Sequence, residues 1–165
     1  NRTGDARVVW EPARLQWLVS VALAARAGRR PVDAARLFEG VLLHWLALNP
    51  PYHGVHYTSA MECALRMLAV LYAVDQLRPW IDSRSRTWSA VLELVDSHAR
   101  LIAARLSRHS SSGNHTIAEA AALVHAGLLF PEFPEAAGWL FAGRSVLAEE
   151  FPRQVLDDGG GIEQA

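Results

Sequence analysis

The stretch Ser59-Ala60-Met61-Glu62-Cys63-Ala64-Leu65-Arg66-Met67-Leu68-Ala69-Val70-Leu71-Tyr72 decides the fold class. Ser59 followed three residues later by Glu62 is a capping-box pattern, in which each side chain satisfies an amide at the start of a helix. Leu65, Leu68, Ala69 and Tyr72 then recur at helical spacing. Pro79 lies beyond the end of the helix, where a proline is tolerated. The stretch is apolar on more than one side, the mark of a helix buried inside a larger helical assembly.

The same grammar extends in both directions. Upstream, Pro12 suits a first helical turn, and Leu15, Leu18, Val19, Ala22 and Leu23 follow helical spacing until Gly28 and Pro31. Asp33 is a candidate cap for a second helix with Leu37, Val41, Leu42, Trp45 and Leu48 inward, ended by Asn49-Pro50-Pro51. Downstream, Ser85 to Ser107 reads as a fourth helix with Trp88, Val91, Leu92, Val95, Ala99 and Ile102 on its apolar face. The polar tract Arg108 to Gly113 interrupts it, and a fifth helix starts near His115. Pro131 and Pro134 bracket a turn before a sixth helix with Trp139, Leu140, Val146 and Leu147. Asp157 to Gly161 is a glycine-rich turn. Strand signals are nearly absent; Val8-Val9-Trp10 is the kind of short run that could pair briefly. Short connections predict antiparallel neighbours, and the expected architecture is all-α, a layered array of helix hairpins.

The chain has 165 residues, 51% of them apolar and 20% charged, with a net charge of −1. That length fits one domain and that composition a packed core. All basic residues are arginines, spread along the chain; neither charge nor its distribution points to nucleic acid or an anionic membrane surface. No stretch has the length of a membrane span. Cys63 is the sole cysteine, so no internal disulfide forms, and its apolar surroundings predict a buried, inert thiol.

Four segments in order, covering nearly the whole chain, resemble the amino-terminal domain of heparinase II/III-like and alginate lyases. They are Asp5-Ala6-Arg7-Val8-Val9-Trp10-Glu11-Pro12-Ala13-Arg14; Trp45, Asn49-Pro50 and Gly54 followed by Glu62 and Arg66; Ser112-Gly113-Asn114-His115 with Glu119; and Gln154, Asp157-Asp158-Gly159-Gly160 and Glu163. The resemblance implies an incomplete (α/α) toroid, of which residues 1–165 supply a part, with further helices and a carboxy-terminal β-sandwich region outside the chain. It also implies a polysaccharide lyase that breaks uronic-acid glycans by β-elimination; no cofactor or metal is read from the sequence. It places an acid–base tyrosine beyond Ala165, so the isolated chain is expected to be inactive and the parent protein active. Two positions depart from the family pattern. Gly113 stands where an asparagine is common, which predicts a looser loop before Asn114. Tyr57 stands where a tryptophan is common, which keeps an aromatic face for a sugar.

β-Elimination needs the uronate carboxylate neutralised, the adjacent proton removed and the leaving oxygen protonated. The resemblance assigns the first task to Asn114 and His115, which open a helix where free amides also favour an anion. Glu119, one turn on, is placed to orient His115. Without the resemblance, Asn114 reads first as a helix cap with Thr116 and Glu119 completing a capping box. Glu62, Arg66, Tyr57, His53 and Glu163 are the candidate substrate-binding residues. For Glu62 and Arg66 the alternative is a surface ion pair one helical turn apart.

His53 and His56 make a weak metal signal, because a site needs three or four ligands. His44, His98, His109 and His125 have no partners at suggestive spacing. Trp45, Trp80, Trp88 and Trp139 fall on apolar helical faces and read as core. Glu62, Asn114, His115 and the Asp158–Gly160 turn are expected to converge on one end of the array. The expected partner is an acidic polysaccharide; sequence leaves its identity, the compartment and the oligomeric state open. Two other classes stay in play: a helical-toroid glycoside hydrolase pairing Glu62 with Asp157, Asp158 or Glu163, and a non-catalytic glycan-binding scaffold.

Overall fold

A computed structural model describes residues 4–107, 113–156 and 158–162. Seven α-helices account for most of them: α1 (Ala6–Ala13), α2 (Trp17–Arg26), α3 (Pro31–Leu48), α4 (Ala60–Leu77), α5 (Arg86–Ala104), α6 (Asn114–Leu129) and α7 (Ala136–Gln154). Short 3-10 turns at Val55–Tyr57 and Arg78–Trp80 precede and follow α4. The only pairing of extended backbone among the described residues is the bridge between Val155 and Gly161. The fold class expected from periodicity is therefore the one observed.

Helix α4 is the hub. It packs on α2, α3, α5 and α6, and Cys63, Ala64, Met67, Val70, Ala73 and Leu77 along it have no exposed surface. Ser59 caps it as expected, accepting from the Glu62 amide at 3.4 Å. Burial pushes the Cys63 thiol up to about 11, so it is neutral and inert.

Several boundaries differ from the sequence reading, each for a local reason. The first predicted helix is two helices, and Val8-Val9-Trp10 belongs to α1, not to a strand. The break falls at Leu15, whose φ of 57° is left-handed; tertiary bonds to Ala13 and Arg14, described below, hold the chain in that turn. Helix α3 starts at Pro31, earlier than an Asp33 cap allows. Asp33 instead lies in its first turn and accepts from Arg30 Nε at 2.8 Å, where a carboxylate complements the helix dipole. Leu92 points outward, whereas Val91, Val95, Ala99 and Ile102 of α5 are buried as read. Trp45 and Trp139 are core; Trp80 and Trp88 pack against the core half-buried.

Helices α6 and α7 form the most extensive pair. A Cβ on Gly127 would lie 2.5 Å from the Ala136 carbonyl oxygen, and one on Gly143 2.6 Å from that of Ala120. These glycines let the two backbones touch, and they fix the helices as antiparallel: residue 127 lies beside 136, and residue 143 beside 120. The end of α7 therefore returns to the start of α6.

Candidate functional site

The first turns of α4 carry two buried charges, neither in the pairing that their spacing suggests. Glu62 and Arg66 are both 0% exposed, so they are not a surface ion pair. Glu62 instead accepts from Arg14 in a bidentate fork, from Nε at 2.8 Å and from Nη2 at 2.8 Å. Among the described residues Arg66 has no carboxylate partner. Its Nε donates to the Ala13 carbonyl at 2.6 Å and its Nη1 to His98 Nε2 at 3.0 Å. Its guanidinium carbon lies 4.4 Å above the Trp45 ring, a cation–π contact strengthened by burial. Burial lowers the Arg66 pKa from its ordinary value. Glu62 and Arg66 thus bolt α1, the α1–α2 turn and α5 to the start of α4; they have no surface to offer a sugar.

His98 closes this network. A guanidinium only donates, so His98 Nε2 must be the acceptor and Nδ1 must carry the proton. Nδ1 faces Ser97 Oγ at 3.1 Å, and Ser97 Oγ donates to the Leu94 carbonyl at 3.1 Å. Complete burial, and then the Arg66 charge, hold the His98 pKa well below its ordinary value. The folded state keeps His98 neutral, while the unfolded chain takes up its proton below about pH 6.5. The resulting stability is present above that pH and is lost as pH falls. Unfolding free energy should decline by up to about 1.4 kcal/mol per pH unit between roughly pH 6 and 5 from this group. Urea titrations of the wild type and His98→Gln check it: the variant should be less stable at pH 7.5 and show a shallower decline.

Between α3 and α4, the loop bearing Tyr52, His53, His56 and Tyr57 lies against the same network. Tyr57 is only 2% exposed, its ring edge-on to His98 at 5.3 Å and tilted to Trp45 at 6.1 Å. Burial pushes its hydroxyl up to about 12. That placement corrects the expectation of a sugar-stacking face at Tyr57. His53 is exposed, with Nδ1 2.9 Å from the Pro51 carbonyl. His56 is half-buried, and its Nδ1 is buried without a hydrogen-bond partner among the described residues.

At the start of α6, Asn114 is exposed and His115 half-exposed. The cap residue is Gly113, not Asn114, so the plain capping role for Asn114 does not hold. Gly113 has a φ of 125°, a conformation that favours glycine. The substitution therefore serves a defined turn rather than a loose one. Glu119 does not reach back to His115. It is 1% exposed and accepts from the Ser107 amide at 2.8 Å and Ser107 Oγ at 2.9 Å. Thr116 Oγ1 donates to the Ser107 carbonyl at 2.6 Å. The segment after α5 is thus stitched to the first turns of α6.

These bonds set the common end. Arg105 Nη1 donates to the Tyr57 carbonyl at 3.3 Å, and Ser107 binds Glu119, so the end of α5 joins the loop before α4 to the start of α6. Antiparallel packing returns the end of α7 there as well. Beyond it, Asp158 Oδ1 accepts from the Gly160 amide at 2.9 Å in the tight turn expected for this stretch. Glu62, Asn114, His115 and that turn share one end of the array. Glu163, Asp157, Ser112 and His109 lie outside the described residues.

Sequence reasoning missed Arg14, His98, Arg105 and Ser107 as parts of this end. Their partners lie 48, 32, 48 and 12 residues away, separations to which helical periodicity is blind. An apolar-lined groove lies elsewhere on the array, between α2, α4 and α6 along Val19, Leu65, Leu68, Tyr72 and Leu129. No helix among the described residues is long and apolar enough to cross a membrane.

Comparison with known proteins bears on this arrangement. The family model described as Heparinase II/III N-terminus matches residues 1–165. A heparin-sulfate lyase of Pedobacter heparinus is 28% identical over 159 residues, covering 94% of this chain and 24% of the relative. A heparin-sulfate lyase of Bacteroides stercoris is 34% identical over 89 residues, covering 54% of this chain and 13% of the relative. Among solved structures, heparan sulfate lyase HepC from Pedobacter heparinus superposes with a TM-score of 0.72 at 25% identity, covering 97% of this chain and 25% of that one. A heparinase III structure superposes with a TM-score of 0.68 at 25% identity, covering 98% and 28%. The chain spans about a quarter of the length of these relatives, or less.

Proposed function

Because the chain belongs to the heparinase II/III N-terminal family, we propose that it forms part of a lyase that cleaves uronic-acid-containing polysaccharides by β-elimination. The observation that carries this reading is the start of α6. Asn114 and His115 stand accessible there, at a helix whose cap residue has no side chain to occupy its first amides. The Asn114 amide, the His115 imidazole and the dipole of the helix N-terminus form a preorganised receptor for a carboxylate. Neutralising a uronate there lowers the pKa of the proton next to the carboxyl group. Removal of that proton and departure of the glycosidic oxygen then leave an unsaturated uronate.

Glu62 and Arg66 act in this scheme by position, not by touching sugar. His53 remains a candidate for direct contact, and the heparin-sulfate lyases among the relatives favour an acidic, sulfated glycan. The hydrolase alternative is weakened, because Glu62 is buried with both oxygens held by Arg14 and cannot approach a glycosidic bond.

The full-length protein should generate ultraviolet-absorbing unsaturated uronate from heparan sulfate, or from alginate or a hyaluronan-type polymer. Reducing ends released without that absorbance would indicate a hydrolase. Tight binding with no products would indicate a scaffold.

A further inference from the structure

Three consecutive carbonyls of the loop before α4 each accept from a side chain in or next to a different helix. Trp10 Nε1, from α1, donates to the Val55 oxygen at 2.9 Å. Arg66 of α4 reaches the His56 oxygen with both terminal nitrogens, at 3.5 Å each. Arg105, just past α5, donates to the Tyr57 oxygen at 3.3 Å. Within the loop, Thr58 Oγ1 donates to the Val55 oxygen at 2.8 Å and the Tyr57 hydroxyl to the Asn49 oxygen at 3.4 Å. Carbonyls on a surface loop are ordinarily satisfied by water. Held from three helices, this backbone is fixed relative to all of them.

Tyr52 lies three residues upstream of the fixed carbonyls, in a turn that the His53 amide closes on the Pro50 carbonyl at 3.1 Å. Its φ is 66°, a left-handed conformation unfavourable for a residue with a Cβ and a ring. Burial does not explain the choice of tyrosine: the residue is 54% exposed, and its ring only tilts against Tyr57 at 6.1 Å. An exposed aromatic on a strained backbone, in a loop clamped at the Asn114–His115 end of the array, is an arrangement that burial and backbone preference both oppose. Strain of this kind persists where surrounding structure imposes it, and it collects at ligand sites. A pyranose ring offers a face of C–H groups edged by hydroxyls, which matches an apolar ring with a polar tip.

We propose that Tyr52 is a sugar-stacking residue of the glycan site, and that Trp10, Arg66 and Arg105 are positioning residues that hold its loop. The class of sugar, a uronate-containing polysaccharide, rests on the lyase reading above; the clamp does not.

The test uses the full-length protein carrying His115→Ala to suppress turnover, with heparan sulfate and alginate oligosaccharides as probes in titration calorimetry. Asparagine tolerates the left-handed conformation, so Tyr52→Asn should leave the thermal midpoint unchanged or raised while weakening binding about tenfold. Tyr52→Phe should bind within about twofold of its parent, since the ring is kept. Trp10→Phe and Arg105→Gln should speed amide exchange over residues 53–58 and weaken binding without loss of helical content. Unchanged affinity in Tyr52→Asn, or no binding of either probe by the parent, overturns the proposal. Wild-type protein that makes no unsaturated uronate, alongside weakened binding by Tyr52→Asn, defeats the lyase reading and leaves the platform standing. Active wild type with normal binding by Tyr52→Asn does the reverse.

Discussion

Replacing His115 by alanine in the full-length protein is expected to lower kcat by about 10²- to 10³-fold, the usual consequence of deleting one preorganised donor from a developing anion. Asn114→Ala should fall in the same range. Neither side chain belongs to the core: Asn114 is exposed and His115 half-exposed. Circular dichroism and thermal midpoint should therefore stay near those of the wild type. The effect should appear in kcat more than in KM, because the interaction strengthens as negative charge moves onto the carboxyl group. The double variant should lose much less than the product of the two single losses, since both groups serve one carboxylate. A fully active His115→Ala protein would remove this residue from the carboxylate site. Loss of helical content in the same variant would reassign it to the fold.

The helical class was legible because it is written in local signals. Ser59 with Glu62, the apolar spacing through Tyr72, and Pro79 beyond the end gave α4 nearly to the residue. Ser85 likewise caps α5, accepting from the Thr87 amide at 3.0 Å. The break at Leu15 was not legible, because no glycine or proline stands where the chain turns left-handed. The turn is held from outside, by Arg66 on the Ala13 carbonyl and by Glu62 on the Arg14 side chain. The same limit applied at the site. Asn114 and His115 are candidates through their motif alone, and that motif misassigns the partner of Glu119. One helical turn makes His115 a plausible neighbour, whereas Ser107 lies on the far side of a helix break. Tyr57 was misread for a similar reason: an aromatic in a polar loop reads as exposed until the tertiary fold folds it inward over His98.

Arg14→Ala is expected to destabilise the protein by about 3–5 kcal/mol, the range for removing one partner from a buried, hydrogen-bonded ion pair. The Glu62 carboxylate is fully buried, and both its oxygens are held by Arg14 at 2.8 Å. With the guanidinium gone, Glu62 must stay charged without a partner or take up a proton in place of the lost bonds. The same pair replaced by apolar groups, Arg14→Met with Glu62→Leu, should recover most of that loss, because no charge is then left buried. Urea unfolding of the single and double variants measures the difference, and a single-variant loss below about 1 kcal/mol would mean that the pair is solvated in solution. Recovery of stability need not bring recovery of function. Arg14 ends the turn that carries Trp10, and Trp10 holds the Val55 carbonyl of the Tyr52 loop. The apolar double variant keeps burial but gives up the directional fork that fixes this turn on α4. It should therefore fold with near-wild-type stability and still bind glycan more weakly.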